Sequence, residues 1–105
     1  MITRYEFHPE AAAEFEEQVR WYVNRAGADV ASRFDAAIDE TICGLLNWPD
    51  SGLVERVRPG KPAIQSISVK QFPFRVVYQI LGDTVFVLAV ASVHREPDYW
   101  TVRDE

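Results

Sequence analysis

Few residues of this chain are of types that do chemistry, and their spacing excludes most catalytic arrangements. His8 and His94 lie far apart, and Cys43 is the only thiol. A metal site needs three or four such donors at short spacing, so neither a metal nor another cofactor is expected. Cys43 has no partner for an internal disulfide; it falls in a helical pattern and is expected to pack as a small apolar side chain. Glu10, Glu14, Glu16 and Glu17 crowd one stretch. Paired carboxylates run acid–base chemistry when a neighbour splits their pKa values. Here neither His nor Asp joins them, so they read as the solvated first half of a helix, where the dipole favours negative charge. The cations are more suggestive. Arg56, Arg58, Lys61, Lys70 and Arg75 stand against Glu55 alone between residues 53 and 80. A tail from residue 91 then gathers His94, Arg95, Tyr99, Trp100 and Arg103. Such residues suit contact with an acidic or phosphate-bearing target.

Net charge limits what that target is. The chain carries −5 overall, with a pI near 5.0. Residues 1–50 hold 4 basic against 10 acidic residues, and residues 51–105 hold 7 against 6. Strongly salt-dependent nucleic-acid binding takes roughly six to ten phosphate contacts. Tight binding to nucleic acid by the chain alone is therefore not expected. At 105 residues the chain reads as one domain, 1–105. It has no apolar run of about 18 residues and no secretory apolar region at the start, so a cytoplasmic protein without a membrane span is expected.

The elements that must position these residues are read from periodicity. Residues 74–80 alternate, with Phe74, Val76, Tyr78 and Ile80 on one face and Arg75, Val77 and Gln79 on the other. Leu81-Gly82-Asp83 supplies a turn, and 85–91 is apolar at every position, as in a central strand covered on both faces. Residues 66–70 alternate as well, so three strands form a meander. Residues 2–7 give a further strand, closed by His8-Pro9, where His8 reads as a loop or capping residue. Two helices follow. Ala12, Phe15, Val19, Tyr22 and Val23 form the stripe of the first, and Trp21 lies off it as a rim residue or partner anchor. Gly27 stops it, and a connection of three to five residues leads to a second helix over 30–47, capped by Asp29. Its stripe is Val30, Phe34, Ala37, Ile38, Thr41, Ile42, Leu45 and Leu46. Three prolines and two glycines make 47–63 a loop. Arg103, near the end, is expected to be mobile. The aromatic tail is expected to pack onto the sheet edge; the hairpin covers only one sheet face, so Val77 and the alanines and valines of 84–91 are expected to form an apolar patch, hidden in part by the tail from Pro97 and otherwise open to a partner.

This order, strand–helix–helix–strand–strand–strand, is similar to the ParE/RelE superfamily of bacterial toxins. The resemblance rests on Asn47-Trp48-Pro49 with Gly52, on Phe72-Pro73-Phe74-Arg75-Val76-Val77-Tyr78, on the Gly82-Asp83 hairpin, and on Arg95-Glu96-Pro97-Asp98-Tyr99-Trp100 followed by Arg103. It implies an α+β fold and a toxin of a type II toxin–antitoxin system, neutralised by an antitoxin encoded nearby. A ParE-like toxin binds DNA gyrase and blocks replication without chemistry of its own. A RelE-like toxin cuts mRNA on the ribosome, for which Arg75, His94, Arg95 and Tyr99 are the available set. A third reading is a toxin fold kept only as an antitoxin-binding module. The acidic balance favours the gyrase reading, since a ribosome ligand is ordinarily basic. Target contacts are then expected from Arg56, Arg58, Lys61, Lys70, Arg75, Arg95, Tyr99, Trp100 and Arg103, and antitoxin contacts from Trp21, Tyr22, Lys70, Arg75, Val77 and Arg95. Ser92 stands where relatives often carry His, and Gln65-Ser66 where they carry Arg, which makes this surface less basic.

Overall fold

The structure, a computed structural model, describes residues 1–94 and 99–103. Strand β1 (Arg4–Phe7) leads into helices α1 (Pro9–Ala26) and α2 (Ala28–Asn47). Strands β2 (Leu53–Arg56), β3 (Ile64–Ser68), β4 (Phe74–Leu81) and β5 (Thr84–Ser92) follow, and then a 3-10 helix, Tyr99–Arg103. One five-stranded sheet results, in the order β1-β5-β4-β3-β2. The expected α+β architecture is present, with the meander of β3, β4 and β5 antiparallel as read from the sequence. β1 lies parallel beside β5 at one edge. The expected loop over 47–63 needs correction, because it contains β2, antiparallel to β3. Its prolines and glycines flank Leu53–Arg56 rather than interrupt it, and four residues suffice for an edge strand.

The helix starts follow local chemistry. His8 closes β1 through its N–H, which donates to Val87 O at 2.8 Å, and its Nδ1 accepts from the Glu10 N–H at 3.1 Å. His8 is thus the N-cap, with Pro9 in the first turn where a missing N–H costs nothing. The helices are joined by Gly27 alone, at φ 95°, a shorter link than the expected three to five residues. A positive φ folds the chain back at once, and Gly27, not Asp29, becomes the N-cap of α2. The stripe of α2 is buried as read: Phe34, Ile38, Ile42 and Leu45 pack with Phe74, Val76 and Tyr78 of β4. Cys43 faces solvent instead of packing, because it lies off that stripe.

The sheet has two covered faces. Val85 and Val87 join the core under the helices, while Phe86, Leu88 and Ala89 join a second cluster on the outer face. Strict alternation fails at Leu88, which has no opposite residue between the pairs Val77–Ala89 and Tyr78–Val87. This β-bulge returns Val90 to the helical side and takes Leu88 out of the ladder. The freed Leu88 carbonyl accepts from Arg103 Nη1 at 3.1 Å. Arg103 also grips Glu14 of α1 with two nitrogens, at 2.9 and 3.0 Å, and Glu10 lies 3.6 Å from its Nε. Burial lowers the guanidinium pKa, but the bonds and charges of Glu14 and Glu10 outweigh it and hold Arg103 above its usual range.

This clamp overturns three expectations. Arg103 is only 9% exposed, neither mobile nor presented to a target. Trp100 is buried in the outer cluster with Ile64, Val77 and Leu88, so it packs the tail rather than a partner. Val77 is only 2% exposed, and the apolar patch expected around it is covered by the chain's own terminus. Replacing Arg103 by Ala leaves the Glu14 carboxylate and the Leu88 carbonyl without their partner. It is expected to destabilise the chain by about 3 kcal/mol, the usual scale for breaking a buried ion pair from one side. Urea denaturation measures this, and a loss below about 1 kcal/mol shows that the tail contributes little to the fold.

Candidate functional site

Arg75 is the best-positioned of the expected site residues. It lies on the outer face of β4, opposite Ala91, and is half-buried. Its Nε donates to Ser66 Oγ at 2.9 Å and its Nη2 to Ser66 O at 3.1 Å. Ser66 Oγ in turn donates to Glu55 Oε2. Glu55 reaches Ser66 from a second irregularity, where β2 slips between Val54 and Arg56 against β3. By residue type alone Ser66 stands only for a missing cation, and Glu55 has no assigned role. The structure makes them the pair that orients Arg75. No spacing rule reveals this, because the link crosses three strands.

Tyr78 anchors the loop at the other end of the site. Its hydroxyl donates to Pro49 O at 2.8 Å and accepts from the Gly52 N–H at 3.2 Å. Burial raises its pKa, the Gly52 bond pulls the other way, and nearby Asp50 adds to the rise. Tyr78 therefore stays protonated and structural. Gly52 permits the approach, since a Cβ there would lie 2.4 Å from Tyr78 Oη and 2.8 Å from Ser66 O.

The remaining cations do not form one patch. Lys70 lies exposed just beyond β3, at the end where Ser68 pairs with Arg75. His94 lies beyond β5 at the same end, its N–H donating to Ser92 Oγ at 3.2 Å. Arg56 pairs with Ile64 at the opposite end of β3, about 13 Å away at strand spacing. Arg58 and Lys61 follow in the turn after β2; Arg58 Nη2 donates to Pro62 O, and the Lys61 N–H donates to Arg58 O. Tyr99 is half-buried against the outer cluster, under Arg103, whose guanidinium stands 5.0 Å from the ring. Trp21 is exposed as expected, with Arg25 over its ring at 5.4 Å. Tyr22, expected at a partner surface, is instead buried among Phe34, Phe72 and Phe74, since it lies on the core stripe of α1. Arg95 lies outside the described residues. Among the described residues no three His, Cys, Asp or Glu side chains could together hold a metal ion, and no helix is long and apolar enough to cross a membrane.

Residues 5–97 match the family model of the ParE toxin of type II toxin–antitoxin systems, parDE. The chain belongs to this ParE toxin family. Its fold is shared with a chromosomal ParDE TA system from P. aeruginosa, at TM-score 0.70 and 18% identity over 88% of this chain and 96% of that one. It is shared as well with a variant of E. coli toxin RelE in the free state, at TM-score 0.62 and 18% identity over 99% and 95% of the two chains. No curated protein sequence matches the chain. Within the ParE/RelE fold, Gly52 and Tyr78 are where a test of the site's frame is sharpest. Tyr78→Phe is expected to cost about 1–3 kcal/mol for two unpaired backbone groups. Gly52→Ala should cost more, because its Cβ must displace Tyr78 and the backbone of β3. Thermal melts measure both, and a Tyr78→Phe variant as stable as the wild type shows that the Tyr78 hydroxyl is not what fixes the loop.

Proposed function

We propose that this ParE-family toxin blocks replication by binding DNA gyrase, with no chemistry of its own, and that a cognate antitoxin neutralises it. The observation that carries the reading is the state of Arg75. Two of its guanidinium nitrogens are engaged by Ser66, which is itself tied to Glu55. A guanidinium held this way presents a fixed, directional donor to a carboxylate or phosphate of a target. Tyr78, the buried hydroxyl of the same strand, is occupied by the Pro49–Gly52 loop and kept protonated, so it does not supply a base. The match to the ParE toxin family and the acidic balance of the chain support the same reading. In this reading Arg75 and Lys70 at one end of β3 make one set of target contacts, and Arg56, Arg58 and Lys61 at the other end make a second.

Expression of the chain without a partner is expected to arrest growth, with filamentation and a DNA-damage response while labelled amino acids are still incorporated. In vitro, supercoiling by purified gyrase should be inhibited. Arg75→Ala should weaken that inhibition about tenfold or more, and Ser66→Ala less, by loosening the guanidinium without removing it. A prompt stop of protein synthesis with mRNA cut on the ribosome overturns the reading in favour of a nuclease. In that case Arg75→Ala and Arg95→Ala should each slow cleavage by about 10²-fold, the usual cost of one lost transition-state contact.

A further inference from the structure

An open sheet has two free edges, and this one treats them differently. At β1 the edge residues are Arg4, Tyr5 and Glu6, with Arg4 Nη2 paired to Glu6 Oε1. Charges along an edge are the usual guard against an added strand. At β2 the edge carries Leu53 and Val54, with Val57 just beyond, and these are 65%, 60% and 74% exposed. Their faces follow from the irregularity in β2. Glu55 accepts from Ser66 Oγ, and Arg56 pairs with Ile64 of the outer cluster, so both lie on the outer face. Val54 pairs with Gln65 on the helical side, and alternation past Arg56 returns Val57 to that side. Val54-Glu55-Arg56-Val57 thus reads apolar, acidic, basic, apolar, with both valines on one face and both charges on the other.

From this we infer that β2 is the seam of a homodimer, in which a second copy of the chain adds its own β2 antiparallel to the first, about a twofold axis normal to the sheet. Val54 then lies opposite Val57 of the second copy and Glu55 opposite its Arg56, and the symmetry makes each pair twice. The irregularity is what permits this register. In a regular strand a twofold axis normal to the sheet sets some residue against itself, Glu55 on Glu55 or Arg56 on Arg56, and like charges face each other. With Glu55 and Arg56 on one face, the axis falls between them and opposite charges meet. Glu55 serves both contacts, because Ser66 takes only Oε2 and a carboxylate accepts about four hydrogen bonds. A second copy suits this edge because a segment that is its own complement when turned end for end needs no other sequence. Firm dimers bury about 1,200–2,000 Å² in all. One strand pair of this length, flanked by Leu53, falls short of that, so the dimer forms in the micromolar range and exchanges rapidly. It does not depend on which target the toxin binds.

The test is sedimentation equilibrium of the full chain, purified without any partner, over about two decades of concentration around the micromolar range. The wild type should pass from monomer to dimer, and hydrogen exchange over residues 53–57 should slow as it does. Arg56→Glu sets Glu against Glu55 of the second copy, and Glu55→Arg sets Arg against its Arg56. Each variant alone should dimerise at least tenfold more weakly. Mixed in equal amounts, the two should associate about as tightly as the wild type, since a chain with two acids then faces a chain with two bases. Val57→Lys, at an exposed position beyond the strand, should also weaken dimerisation at least tenfold while melting as the wild type does. It carries the test if Glu55→Arg, which gives up the Ser66 bond, fails to fold by circular dichroism. A wild-type monomer at every concentration, a dimer that Val57→Lys and Arg56→Glu leave intact, or protection confined to another segment overturns the seam. Two folded single variants that stay apart when mixed overturn the register, and the homodimer proposed here with it.

Discussion

β5 has no polar face, and the rest of the molecule answers to that. A strand apolar at every position from Val85 to Ala91 must be covered on both sides. On one side the cover is the helical hairpin, whose Phe34, Ile38 and Ile42 stripe meets Val85, Val87 and Val90. On the other it is the chain's own terminus, whose Trp100 enters the cluster of Ile64, Val77, Phe86 and Leu88. Placing β5 between β1 and β4 satisfies its backbone along both edges. A small domain with one sheet thereby gains two apolar clusters, and the outer face around Val77 is covered from within the chain.

The bulge at Leu88 joins these two clusters. It changes the phase of β5, so that consecutive residues Leu88 and Ala89 serve the outer face and Val90 returns inward. It also leaves a carbonyl outside the ladder, which Arg103 occupies while holding Glu14 of α1. A charged pair taken out of water is a weak source of stability by itself, but it fixes geometry once made. Here it ties the last described turn to the first helix and closes the second cluster.

Irregularity also shapes the candidate site. The slip in β2 brings Glu55 to Ser66, and Ser66 turns the guanidinium of Arg75 along the sheet. The two clusters of cations that sequence places within one stretch are separated by the length of β3, because β2 runs antiparallel to it. One end presents Lys70 and Arg75, the other Arg56 with Arg58 and Lys61 in the following turn.

The sequence by itself determined what depends on local order. The alternation of Phe74, Val76, Tyr78 and Ile80, the stripe of α2, the Gly82-Asp83 turn and the cap before Pro9 are all set by neighbours within a few residues, and they stand as read. The resemblance carried by Trp48-Pro49, Phe72 to Tyr78 and the terminal aromatic run pointed to the right family. What only tertiary structure decided depends on pairings that period and composition do not encode. β2 is four residues between prolines and glycines and exists because β3 offers it an edge. Leu88 bulges because two faces must both be filled. Arg103, Trp100, Tyr22 and Val77 carry side chains suited to a surface contact, yet each is buried by an element distant in sequence: Arg103 by Glu14 and Leu88, Val77 by Trp100, and Tyr22 by Phe72 and Phe74. Residue type reports what a side chain can do, and the long-range packing decides whether solvent or a partner ever reaches it.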